Sequence, residues 1–246
     1  MNPTTSFRRL SFAFVAATVV FVACGSPHAS APLVPFGVAP AEIGAAKGSY
    51  KLLHLFRGGP DGAEPFAGLT PLGGKLYGVT YGNNVGGFGT FFSITSSGKV
   101  TTLYRFKGMP DGVGPAGNLA VVNGKLYGTT VNGGKHDLGC IFTITPSGRE
   151  HVIYSFKGGT DGANPEVGLI EYHGKLYGTT QLTGSGSGNG VVFEITAGKE
   201  RVLHTFAGSP GDGSYPFAPL VALNGKLYGT TESGGENSNG TVFAMR

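Results

Sequence analysis

"GKLYGTT" occupies residues 124–130, and close copies stand at 74–80 (GKLYGVT), 174–180 and 225–231, at spacings of 50, 50 and 51 residues. Other landmarks keep the same register: Phe56, Phe106, Phe156 and Phe206; Asp61, Asp111, Asp161 and Asp212; Leu69, Leu119, Leu169 and Leu220; Phe92, Phe142, Phe193 and Phe243. A period near fifty, made of short apolar runs and glycine turns, is the sequence form of a propeller or another stacked β array rather than of a helical solenoid.

Each unit holds four runs rich in β-branched and aromatic residues, bounded by Gly, Asn or Ser. Run A is KLLHLF, TTLYRF, HVIYSF or RVLHTF; run B starts at the repeat leucine, as in LAVV (119–122); run C is the KLYGTT segment; run D is GTFFSIT, GCIFTIT, GVVFEIT or GTVFAMR. Between B and C stand Asn123-Gly124, Asn224-Gly225, His173-Gly174 and Gly73-Gly74, and Asn-Gly favours the type I′ turn whose twist suits an antiparallel hairpin. Short glycine turns (SSGK, PSGR, AGKE) join D to the next A, so the predicted sheet order is B, C, D, A. The first A run (51–56) then lacks a preceding D, and the last D run, ending at Arg246, lacks a following A. Pairing these two would close a ring and hide both edges, which predicts an all-β, four-bladed β-propeller over residues 49–246 with four-stranded antiparallel blades.

Composition agrees with a packed β body. Glycine is 45 of 246 residues and charged residues are only 13%, yet 40% of the chain is hydrophobic, enough for a core, so the glycines belong to turns. The formal charge is +4; without Arg8 and Arg9 of the N-terminal segment it falls to 16 basic against 14 acidic groups, or +2. Lys75, Lys125, Lys175 and Lys226 follow turn glycines as dispersed charges, not as a basic stripe, so nucleic acid is not an expected partner.

Residues 1–9 carry two arginines and no acid, and residues 10–23 are an apolar run of 14 that ends at Cys24. This is a signal-peptide layout, too short for a comfortable membrane span. FVAC resembles a bacterial lipobox, with Phe21 where Leu, Val or Ile is usual, and implies lipidation at Cys24 and a membrane partner through that lipid. A secreted protein cut near this point is the other reading. Residues 24–48, with Pro27, Pro32, Pro35 and Pro40, form an extended tether. Gly25 after the cysteine favours an outer-membrane address if the sorting rule for bacterial lipoproteins applies. Cys140 stands where other copies have Thr90, Val191 and Thr241, and reads as a small buried side chain.

LYGTT followed by a glycine-rich loop and GTVF, together with SFKGGTDGANP leading to GLI, resembles the GloVer tandem repeat of choice-of-anchor bacterial surface proteins over residues 51–246. The resemblance implies a repeat body joined to one of several anchors, with a lipobox at Cys24 as one such anchor. It carries over no catalytic residues and no ligand.

The repeat aspartates suit Asx-type turns, because one acid per unit supplies too few oxygens for calcium. Tyr77, Tyr127, Tyr177 and Tyr228, and the threonines of run C, read as packing. His54 and His204 replace Tyr104 and Tyr154 in run A, again as packing positions, and no histidine shows zinc spacing. No metal site, cofactor or catalytic residue is predicted. Positions that differ between copies are the better candidates for function. The C-to-D loops (81–88, 131–138, 181–189, 232–239) differ most, and supply Tyr81, Asn83, Lys135, His136, Asp137, Glu232 and Glu236 as candidate ligand contacts on one face. These suit a polar ligand, a glycan or an envelope protein. The first expectation is a non-catalytic binding or interaction module on the cell envelope. The alternatives are a glycan-active hydrolase or lyase using His136 with Asp137 or Glu232, and a structural spacer or assembly unit.

Overall fold

The computed structural model describes residues 49–82, 87–184 and 187–246; the apolar N-terminal run, Cys24 with the tether, and Asn83 lie outside them. Residues Tyr50–Arg246 form one compact unit. Each copy of the heptad is a strand held between two others. The first sheet runs β1 (Thr70–Leu72), β2 (Lys75–Thr80), β3 (Thr90–Ile94) and β4 (Val100–Arg105) in that spatial order, all antiparallel. The second repeats it with β5 (Gly112–Val122), β6 (Lys125–Gly133), β7 (Cys140–Ile144) and β8 (Glu150–Ser155). The third does so with β9 (Ile170–Tyr172), β10 (Lys175–Thr180), β11 (Val191–Thr196) and β12 (Lys199–Thr205). The predicted order B, C, D, A therefore holds in three sheets. At the B-to-C turns both central residues have positive φ, 49° and 71° at Asn123-Gly124 and 51° and 75° at His173-Gly174, as a type I′ turn needs.

In the last unit β13 (Gly213–Ser214) pairs with β16 (Ser233–Gly234), and β14 (Val221–Leu223), β15 (Lys226–Thr231) and β17 (Thr241–Met245) form a three-stranded sheet. The ring closure expected from the sequence is not formed. Residues 51–56 adopt no strand, and β17 pairs with β15 alone. Local pattern records that the two ends each lack a neighbouring strand, and carries no record of whether they reach each other.

The glycine inside the heptad sets the packing. At Gly128 of β6 a Cβ would lie 2.5 Å from the Phe142 ring tip on β7 and 2.8 Å from a Leu119 methyl on β5. Gly78 and Gly178 are crowded in the same way by Phe92 with Leu69 and by Phe193 with Leu169. Removing the side chain from the middle strand lets the large residues of its two neighbours meet over it. The sheets then stack by one repeated contact. Phe91 of the first sheet joins Leu119 and Phe142 of the second; Ile141 joins Leu169 and Phe193; Val192 joins Leu220 and Phe243. The phenylalanine closing each outer run stands edge-on to the next sheet, Phe106 on Phe142 at 5.1 Å and Phe156 on Phe193 at 5.2 Å between ring centroids. Polar links run the same way: the Thr70 hydroxyl donates to the Leu119 carbonyl at 3.0 Å, and Thr129 to that of Val167 at 3.0 Å.

Gly128→Ala forces a methyl into a filled site, and overpacking of this kind costs about 1–3 kcal/mol. Gly211→Ala adds the same methyl where nothing lies within 4 Å. Urea denaturation is expected to show the first variant destabilised by that amount and the second near neutral; equal effects would contradict the packing role.

Candidate functional site

After each outer run the chain turns back through the repeat aspartate, whose carboxylate gathers backbone and side-chain donors. Asp111 accepts from the N–H groups of Lys107 at 2.9 Å and Gly112 at 2.7 Å, and from the Tyr104 hydroxyl at 2.8 Å. Asp161 accepts from Lys157 N–H at 2.7 Å and from the Tyr154 hydroxyl. In the first and last units a histidine replaces the tyrosine, with His54 Nε2 3.0 Å from Asp61 and His204 Nε2 2.9 Å from Asp212. Tyr and His are thus exchangeable as donors to one carboxylate, beyond the packing role read from the sequence. The signal that could have found the pairing is its spacing, seven residues in three copies and eight in the fourth.

Two copies add a second acid. Glu150, at the start of β8, has Oε2 3.3 Å from the Tyr104 hydroxyl, while its Oε1 is buried with no partner. Burial, and then the Asp111 charge, push the Glu150 carboxyl up to about 7. Glu200, with an equally unpartnered Oε1, is pushed up to about 7 by burial and by Asp161. Tyr104 and Tyr154 are held protonated far above the ordinary phenol range by burial and by their bonds to Asp111 and Asp161. Tyr104, Asp111, Glu150 and Tyr154 line one open cleft of about 650 Å³. Its rim carries Lys107, Lys157 and the Lys135-His136 pair from the second C-to-D loop. Lys107 lies 5.4 Å from the centre of the Tyr104 ring, and Lys157 5.8 Å from that of Tyr154.

The other predicted contacts sit elsewhere. Tyr81 lines a separate cleft with Glu64, Phe88, Val113 and Gly114, its ring 5.7 Å from that of Phe66. Burial, and then the charges of Glu166 and Glu64, raise the Tyr81 phenol. Glu232 lines a third cleft beside Phe217 and Thr231. Asp137 accepts from Gly133 N–H at 2.9 Å and has φ 56°, shaping its own loop. Glu236 is exposed, and Asn83 lies outside the described residues. Cys140 is fully buried beside the Thr130 hydroxyl, and burial pushes its thiol up to about 12, the state of an inert packing cysteine. Among the described residues no group of three or more His, Cys, Asp or Glu could hold a metal ion, and no helix is long and apolar enough to cross a membrane.

The family model of the Gloeobacter/Verrucomicrobia repeat matches residues 41–243. The chain belongs to the Gloeobacter/Verrucomicrobia repeat family. A search of curated proteins returned no match. Among solved structures the chain is similar to YjhT, at 17% identity and TM-score 0.45 over 66% of this chain and 58% of that one. It is also similar to a sucrose-6-phosphate hydrolase from Lactobacillus gasseri, at 16% identity and TM-score 0.44 over 69% and 40%. A gluconolactonase from Xanthomonas campestris follows at 17% and 0.41 over 69% and 55%. The chain spans about half the length of these proteins.

The raised acids of this Gloeobacter/Verrucomicrobia repeat body link stability to pH. Glu150 and Glu200 rise from an ordinary 4.5 to about 7 in the folded chain, so the folded state binds more protons than the unfolded between those values. Their contribution is full below pH 4.5 and is lost as pH rises through 7. Glu150→Gln with Glu200→Gln is expected to flatten the decline of the melting temperature between pH 5 and 8; the same slope in wild type and variant would show that these acids are unperturbed.

Proposed function

We propose that the stacked sheets are blades of a β-propeller, and that this body is a non-catalytic binding module for a polar ligand, a glycan being the favoured class. It is held at the cell envelope by a lipid on Cys24. The carrying observation is a division of labour within the 650 Å³ cleft. The groups repeated in every copy, the aspartate and its Tyr or His donor, are occupied with each other. The groups peculiar to this cleft, Lys135 and His136, are exposed along its lining. An open cleft with a tyrosine floor and a rim of cations suits the hydroxyls and carboxylates of a sugar chain.

A glycan-active enzyme is the second reading. One observation favours it: Glu150, its carboxyl raised to about 7 by burial and by the neighbouring Asp111, has the character of a general acid. The same pairing recurs at Glu200 and Asp161, and this recurrence favours a structural role for both.

Titration calorimetry with a panel of neutral and acidic polysaccharides is expected to show binding that Lys135→Ala with His136→Ala weakens at least tenfold, with the polymer recovered intact. Unchanged affinity would move the site elsewhere, and turnover abolished by Glu150→Gln would favour the enzyme. For the anchor, labelling with a radioactive fatty acid is expected in wild type and absent in Cys24→Ser; equal uptake would remove the lipid.

A further inference from the structure

The stacking contact occurs three times within the chain and is missing a fourth time. In each complete contact a leucine of one unit meets the second residue of the third strand of the unit before it. Leu119, Leu169 and Leu220 are 6%, 4% and 2% exposed, and their partners Phe91, Ile141 and Val192 are all at 0%. The unmatched halves stand at the two ends of the array. Leu69 of the first unit is 48% exposed, and Val242 of the last is 81% exposed. Around Val242 the same face bares Val221, Leu223 and Thr230, whose counterparts in the first sheet are covered: Thr70 and Val79 are buried and Leu72 is partly buried against the cluster shared with the second sheet.

The strand edges repeat the pattern. β17 has one open edge where β3, β7 and β11 each hold an outer strand. Residues 53–56 lie against the first sheet as β4 lies against the second. Phe56 is edge-on to Phe92 at 5.2 Å, as Phe106 is to Phe142, and a Cβ on the turn residue Gly98 would meet the Leu53 carbonyl, as one on Gly148 would meet that of Leu103. A segment placed as an outer strand, though not paired as one, thus stands at one end without its sheet, and a sheet at the other end lacks its outer strand.

We infer that the tail face of the fourth sheet docks on the head face of the first sheet of a second copy of this chain. Val242 of one copy seats on Leu69 of the next, and the 51–56 segment of that copy completes the sheet beside β17. By the register of β3 with β4, Leu55 would stand opposite Thr241, His54 opposite Val242 and Leu52 opposite Phe243. A second copy is favoured because it carries the complementary half of a contact the chain already makes three times. Among the described residues of one chain, both halves stay uncovered. The contact is head-to-tail, so two copies close a ring if the rotation permits, and more copies form a larger ring or a filament.

Light scattering of the full-length protein after size exclusion is expected to give two chains or a higher multiple. Leu69→Lys and Val242→Lys should each lose the assembly. An equal mixture of the two should regain a particle of two chains, because each variant keeps the face that the other needs. His54→Cys with Val242→Cys should oxidise to covalent dimers or a ladder on a non-reducing gel, a readout that does not require the lysine variants to fold. A wild-type monomer at all concentrations would overturn the proposal. So would oxidation of the double cysteine variant within single chains, which would mean that the chain closes on itself.

Discussion

One steric constraint organises the molecule: the central strand of every sheet gives up a side chain so that its two neighbours can touch. With no Cβ at Gly128, Leu119 and Phe142 pack over the backbone of β6, and their shared surface receives Phe106 and Phe91 from the preceding sheet. A single sheet of this kind, with one flat apolar face on each side, cannot shield itself from water. Stability is therefore a property of neighbouring pairs, as in other repeat proteins. The heptad recurs because each unit must offer the same groove and the same ridge to a neighbour built like itself.

The polar groups obey the same logic. Threonine hydroxyls and the repeat aspartates satisfy turn and edge backbone groups that stacking would otherwise strand. Glu150 and Glu200 are exceptions, each with a buried oxygen lacking a partner and a carboxyl raised toward neutrality. In the third sheet Glu194 is the contrasting case. Burial pushes its carboxyl up, but hydrogen bonds from Lys175, Arg201 and Tyr177 outweigh that and hold it low. Lys175 and Arg201 hydrogen-bond Glu194, whereas Lys107 and Lys157 act on Glu150 and Glu200 by charge alone and do not offset burial.

Much of the fold was legible because the decisive signals are local. Asn123-Gly124 and its counterparts specify a turn, the turn specifies a hairpin, and the order of the four strands follows. The aspartates read correctly as turn acids, and Cys140 as a packing residue. The pairing of Asp111 with Tyr104 was written in a seven-residue spacing, yet it looked like two unrelated repeats. The second acid was less visible, since Glu150 and Glu200 have Val100 and Tyr50 as counterparts in other copies. The division of the variable loops among separate clefts depends on how neighbouring units pack against each loop, which no single loop sequence encodes. The fate of the two ends was illegible for the same reason.

The claim that stability resides in contacts between adjacent units is tested most directly by a double-mutant cycle on Ile141→Ala and Leu169→Ala, measured by denaturant unfolding. These residues share one buried cluster across the second and third sheets. The account predicts a coupling of about 1 kcal/mol or more for this pair and close to none for Ile141 with Leu220, one sheet further on. Additive effects in both cycles would contradict it.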